Sequence, residues 1–135
     1  MKKIFLVFIS CFSINAQAAC DVKSLIGNYA QQITYTTYNT RAAYNNGTPT
    51  MCVDIGIMNF DGKGKASFSG SLSCINADIK TYKSTGSYKF DATCSGEINF
   101  SSGEIVKLVL DKTLKNGIIS SDAVLSIGTG TIFKQ

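Results

Sequence analysis

Between residues 64 and 74 the chain alternates with a period of two. Ala66, Phe68, Leu72 and Cys74 share one face, and Lys65, Ser67, Ser69, Ser71 and Ser73 share the other. Successive side chains of a β-strand point to opposite sides, so this run is a strand with one buried and one wet face. Helical spacing is nearly missing elsewhere. Past the N-terminus no window sustains apolar residues at i, i+3, i+4 and i+7. Short β-branched or alternating runs recur instead, separated by Gly, Asn, Asp and Ser, which is the signature of an all-β chain.

The runs can be placed one by one. Tyr29, Ile33, Tyr35 and Thr37 give residues 28–38 strand character. Over 51–60, Val53, Ile55 and Ile57 occupy one face, and Cys52, Asp54, Met58 and Phe60 the other. A short run at 79–82 is followed, after a Ser84-Thr85 turn, by another at 86–91. Residues 97–100 end at Ser101-Ser102-Gly103, and 104–110 is strongly apolar. Asn116-Gly117 is a type I′ turn signal, followed by a short strand at Ile118-Ile119 and a last one over 124–133. The expectation is about eight strands in one domain. An open antiparallel sheet of that size leaves two raw edges, and closure into an up-and-down barrel removes them. Gly56, Gly70, Gly128 and Gly130 fit places where a barrel strand bends. A two-sheet β-sandwich is the alternative architecture.

The N-terminus gives the address. Met1-Lys2-Lys3 is a basic start, Ile4 to Ile14 an apolar core, and Ala16-Gln17-Ala18 a small-x-small cleavage site, the order of parts in a secretory signal peptide. The apolar core is too short for a transmembrane helix. Residues 1–18 are therefore expected to be removed, and 19–135 to form a single exported domain, periplasmic or secreted. Cys20 could carry a lipid if it became the new N-terminus. A lipoprotein signal has an aliphatic residue three positions before that Cys, and Gln17 stands there, so plain cleavage is favoured.

Export gives the cysteines their meaning. Cys11 leaves with the signal, and Cys20, Cys52, Cys74 and Cys94 remain. Four Cys in a small exported domain predict two disulfides. Folding the chain at Asp61-Gly62-Lys63-Gly64 brings Cys52 close to Cys74, which leaves Cys20 for Cys94. No His occurs in the chain and no C-x-x-C pair, so no zinc site or other metal is expected. The same lack of His removes Ser-His-Asp and Cys-His catalytic systems. After cleavage eleven Lys and Arg face nine Asp and Glu, with no block of like charge. Nucleic acid is not an expected partner, no membrane span is expected, and no cofactor motif appears. A monomer is expected.

Two regions remain as functional candidates. Asp54 sits mid-strand among apolar neighbours. If its face points inward it is a buried acid, able to anchor a ligand or move a proton; in the other register it is solvated. A lone acid without an identifiable partner does not make an enzyme. The reading is therefore a non-catalytic binder holding a small apolar or amphipathic ligand, with Tyr29, Asp54, Phe60, Phe68 and Tyr88 as candidate lining. Ordinary core packing is the competing reading for those aromatics. The second region is the long connection over 38–50, which carries Tyr38, Arg41 and Tyr44 as candidate contact residues, or else is the solvated tip of a hairpin. That loop supports the alternative function, an envelope protein–protein module such as a hydrolase inhibitor or periplasmic immunity protein.

Several motifs taken together resemble the small exported bacterial proteins with a lipocalin-like (calycin-type) barrel. Gly27-Asn28-Tyr29 looks like their opening G-x-Y, and Asn59-Phe60-Asp61-Gly62-Lys63-Gly64 like their FDGxG hairpin. Gly86-Ser87-Tyr88 with Cys94-Ser95-Gly96 looks like their G-x-Y…C-x-G segment, and Gly128-x-Gly130 fits their last strand. The resemblance spans residues 25–134 and implies an eight-stranded barrel far more strongly than any activity. Transport lipocalins open with G-x-W and set an Arg of the last strand against that Trp. This chain departs from that pattern: it has no Trp, and its last strand carries only Lys134.

Overall fold

A computed structural model describes residues 20–37, 50–123 and 126–135. The expected signal peptide lies outside them. The described residues form eight strands: β1 (Ile26–Thr37), β2 (Thr50–Asp61), β3 (Lys65–Cys74), β4 (Lys80–Phe90), β5 (Ser95–Phe100), β6 (Ile105–Leu110), β7 (Asn116–Ala123) and β8 (Ser126–Lys134). Each strand pairs antiparallel with its sequence neighbours, and β8 returns to β1, so the sheet closes into an up-and-down barrel. None of the eight described strands is left as a free edge for another chain to extend. The architecture is the expected barrel, not the two-sheet alternative.

The β2–β3 hairpin places Cys52 opposite Cys74, and the two are joined. The second disulfide joins Cys20 to Cys94. Both links follow the pairing expected from the sequence, and both belong to chemistry stable in an oxidising compartment.

Two local expectations are corrected. The runs at 79–82 and 86–91 are one continuous strand, not two separated by a turn. Ser84 and Thr85 lie within it and pair with Phe68 and Ser67. The strand accommodates its close neighbour β5 at Gly86, where a Cβ would fall 2.5 Å from the Asn99 carbonyl oxygen. Asn116-Gly117 is likewise not a turn but the start of β7, with Gly117 opposite Leu110. The turn lies earlier, and Asp111 makes it: its Oδ1 accepts from the backbone N–H groups of Thr113 and Lys115.

The same device closes all three hairpins at this end of the barrel, which we term the lower end. Asp61 accepts from the N–H groups of Lys63 and Lys65, and Asp91 from those of Thr93 and Ser95. Three residues after each Asp the backbone turns left-handed, at Gly64 (φ 97°), Cys94 (φ 63°) and Leu114 (φ 57°). That conformation costs a non-glycine residue about 1 kcal/mol or more. At Cys94 and Leu114 it accompanies a side chain buried in the core, one of them disulfide-bonded.

The interior is mostly apolar, and the outside is mixed, with Ile55, Val109, Ile118, Ile127 and Phe133 among its exposed side chains. Tyr29, Ile33, Met58, Phe60, Ile98, Val106, Leu108 and Ile132 are fully buried. Burial of such side chains contributes about 1.5–3 kcal/mol each. Outside, β3 and β4 present serines, threonines and lysines such as Lys65, Lys83 and Lys89. No helix among the described residues is long and apolar enough to cross a membrane.

Candidate functional site

The two ends of the barrel differ in kind. The lower end is packed solid. Phe60 stands edge-on between Tyr29 and Tyr88, with ring centroids 5.4 and 5.0 Å away. Both tyrosine hydroxyls reach backbone carbonyls: Tyr29 donates to Leu114 (3.0 Å), and Tyr88 donates to Val22 (3.0 Å) and Leu25 (2.9 Å). The segment after Cys20 thus crosses this end as a plug, with Leu25 wholly buried beneath it.

Among the described residues, the upper end, where the chain passes from β3 to β4 and from β5 to β6, carries an open pocket. A cavity of about 460 Å³ opens there. Its described walls include Tyr35, Leu72, Tyr82, Glu104 and the Cys52–Cys74 disulfide. That volume lies in the range of small-molecule sites. A larger space of about 710 Å³ lies on the outside, over Asn59, Ser67, Thr85 and Asn99. It holds no buried polar group.

Asp54 comes from β2 with its side chain inside the barrel, 1% exposed. Its register follows from the disulfide: Cys52 faces inward to meet Cys74, and Asp54 is two residues on. The Tyr82 hydroxyl donates to its Oδ2 at 2.6 Å, while Oδ1 has no hydrogen-bond partner among the described residues. Burial pushes the Asp54 carboxyl up to about 6; the Tyr82 bond opposes that shift and the charge of Glu104 adds to it. The Tyr82 hydroxyl is itself raised, first by burial and then by its bond to Asp54.

A second acid completes the cluster. Tyr35 of β1 donates to Glu104 Oε1 at 2.8 Å, and the Ser121 hydroxyl of β7 donates to the same oxygen. Burial, with the charge of Glu104 behind it, raises the Tyr35 hydroxyl. Gln31, 4% exposed on the inward row of β1, holds its Oε1 without a partner among the described residues. Tyr35, Tyr82 and Glu104 thus line the upper pocket, Asp54 lies behind its wall bonded to Tyr82, and Gln31 sits farther down β1, opposite Gly56.

Compared with known proteins, the chain matches no family model, no curated protein and no solved structure.

The sequence-derived candidates divide between the two ends. Asp54 belongs to the upper cluster. Phe68 sits mid-barrel, 4% exposed, its ring 5.2 Å from that of Tyr82. Tyr29, Phe60 and Tyr88 are together, but in the packed lower core. Tyr38, Arg41 and Tyr44 fall outside the described residues. Sequence reasoning missed Tyr82, Glu104, Ser121 and Gln31 as site residues, and used Tyr35 only as a strand former. One signal was available. Tyr82 has the same parity as Tyr88 and Phe90, so a continuous β4 would have put it inside. The Ser84-Thr85 turn broke that count.

Proposed function

We propose that this chain is an exported binding protein that holds a small amphipathic molecule in the upper half of its barrel. The observation that carries the reading is the upper pocket itself. Its walls are apolar or aromatic at Leu72, Tyr82, Tyr35 and the disulfide, polar at Thr37, Thr81, Ser102 and Ser126, and carry one carboxylate, Glu104, with Asp54 behind the Tyr82 hydroxyl. Small-molecule sites combine these two features: apolar walls give affinity, and sparse, fixed polar groups give orientation. The packed lower end supports the same reading by providing a rigid floor. The reading is non-catalytic.

The two disulfides favour an oxidising compartment, periplasmic or extracellular. The resemblance to exported lipocalin-like barrels agrees with a ligand inside the barrel. It gains support from Lys134, whose Nζ lies over the Tyr29 ring as the last-strand Arg of a lipocalin lies over its Trp.

The test is a native mass spectrum of the protein taken from its own envelope fraction, set beside the denatured mass. Extra mass of a few hundred daltons, removed by denaturation, is the expected result. The mass of a second protein would instead favour an inhibitor or immunity-type module. A bare chain that also takes up none of the small probes described below would end the small-ligand reading.

A further inference from the structure

The upper cluster is short of donors and long on negative charge. Asp54 Oδ2 and Glu104 Oε1 are occupied by tyrosine and serine hydroxyls, but Asp54 Oδ1, behind the pocket wall, is a buried acceptor with no partner among the described residues. An open buried acceptor costs about 1–3 kcal/mol, more on a charged group. Of the described pocket walls Lys80 alone is a base, and it is exposed at the rim. What fits such a cluster brings several donors and a positive charge, and needs no donor in return.

We propose that the ligand is an organic cation, a small amine whose ammonium head seats against Glu104 on the pocket wall, beside the buried Asp54 that Tyr82 holds, and whose apolar body lies along Leu72, Tyr35 and Tyr82. This deepens the small-ligand reading and rests on it. An ammonium group has three donors and no acceptor, which suits a wall whose charged group is a carboxylate, with a second carboxylate close behind it. The tyrosine rings offer faces that attract cations. A carboxylate ligand would meet two like charges. A bare metal ion would find too few ligands, since no group of three His, Cys, Asp or Glu that could hold one occurs among the described residues. A neutral alcohol could fill one acceptor but would leave the charge unanswered.

The groups facing Asp54 set how binding depends on pH. Tyr35 comes from β1, Tyr82 from β4 and Glu104 from the β5–β6 connection; Ile33 and Leu72, its register partners, do not titrate. The tyrosines stay neutral through the acid range. Asp54 with a carboxyl at about 6 is charged at pH 8 and largely neutral at pH 5. One unit below its midpoint only about a tenth of the carboxyl is ionised, so amine affinity falls about tenfold between those pH values.

The experiment uses two probe sets on the mature disulfide-bonded protein, followed by calorimetry and tyrosine fluorescence. One set is n-octylamine, 1-octanol and octanoate; the other is 2-phenylethylamine, 2-phenylethanol and 3-phenylpropanoate. The amine of at least one set is expected to bind at least tenfold tighter than its alcohol, with the acid weakest. Asp54→Asn, checked for an unchanged fold by near-ultraviolet circular dichroism, brings the affinities of the amine and its alcohol to within twofold of each other. Glu104→Gln weakens the amine as well and provides a second reading should Asp54→Asn misfold. Alcohols or acids binding as well as amines overturn the cation proposal and leave the small-ligand reading standing. No binding by any of the six at millimolar concentration overturns both.

Discussion

Lys134 Nζ lies 5.7 Å from the centroid of the Tyr29 ring, so the last strand closes onto the first through a cation over an aromatic face. The stem of the lysine runs past Gly27, where an added Cβ would meet its Cε at 3.7 Å. On the other side Tyr29 meets Phe60 edge-on and donates to the Leu114 carbonyl. One ring thus ties together β1, β2, β8 and the β6–β7 turn.

Unequal losses from the two partners are therefore expected. Lys134→Met keeps the apolar stem and loses the charge, and should cost about 0.5–1 kcal/mol. Tyr29→Phe leaves the buried Leu114 carbonyl without its donor and should cost about 1–3 kcal/mol. Tyr29→Ala opens a cavity in the packed end and should cost about 3–5 kcal/mol. Urea unfolding of the three variants checks the order. A larger loss for Lys134→Met than for Tyr29→Phe would mean the ring is held more by its charge contact than by its hydroxyl.

The barrel was legible because every strand carries its own parity. The serine face of β3 and the turn at Gly62–Gly64 were enough to register β2 against β3, and that register predicted the Cys52–Cys74 link. Pairings distant in sequence were harder. Nothing local in Glu104 or Ser121 says that β6 and β7 will curl round to meet Tyr35 of β1. Closure does that, and closure is a property of the whole sheet. The β4 misreading has a similar cause: Ser84 and Thr85 are turn formers in isolation, and the ladder with β3 overrides that preference. Asp54 sits between these cases. Its strand was plain, but its face depended on register.

Phe68 explains two glycines. A Cβ at Gly56 would fall 2.4 Å from Phe68 Cζ and 2.6 Å from the Ser69 carbonyl oxygen, and one at Gly70 would fall 2.3 Å from the same ring carbon. The two residues face each other across β2 and β3, and the ring lies over both. Either Gly→Ala change should cost about 3 kcal/mol or more, because a rigid ring and a backbone carbonyl both stand in the way. Adding Phe68→Leu to Gly56→Ala should recover part of that loss, as a double-mutant cycle in denaturant would show. Strict additivity would place the whole clash on the backbone.

The disulfides should differ in weight. The Cys20–Cys94 link closes a sequence separation of 74 residues, and Cys52–Cys74 one of 22. By chain entropy the longer loop is worth about 4–5 kcal/mol and the shorter about 3–4. Replacing each pair by alanine and measuring unfolding should show the larger loss for Cys20 and Cys94, since that link also holds the plug against Tyr88. A larger loss from Cys52 and Cys74 would show that the upper rim depends on its bridge more than the lower end does on its plug.

The pH dependence of stability carries two opposing effects, and their signs separate them. The Asp54 carboxyl is raised when folded, to about 6 from an ordinary value near 3.8. The folded state then holds more protons than the unfolded one between those values, so stability from this group rises as pH falls from 7 towards 4. Allowing for screening by water at the pocket mouth, the gain is roughly 1–2 kcal/mol. Asp61, Asp91 and Asp111 act in the other direction. Hydrogen bonds from their own turns hold their carboxyls below the ordinary range, that of Asp111 at about 2. Their contribution is present above pH 4 and is lost as the solution is acidified through their folded values. Stability should therefore peak on the acid side of neutrality and fall steeply below pH 4. Asp54→Asn should be more stable than the parent at pH 7 and lose the rise between 7 and 5, while keeping the fall below 4. Urea midpoints across that range decide it. A parent and variant with parallel profiles would mean that Asp54 is already satisfied and charged inside the barrel, and the open acceptor at Oδ1 would then have to be filled from within the chain.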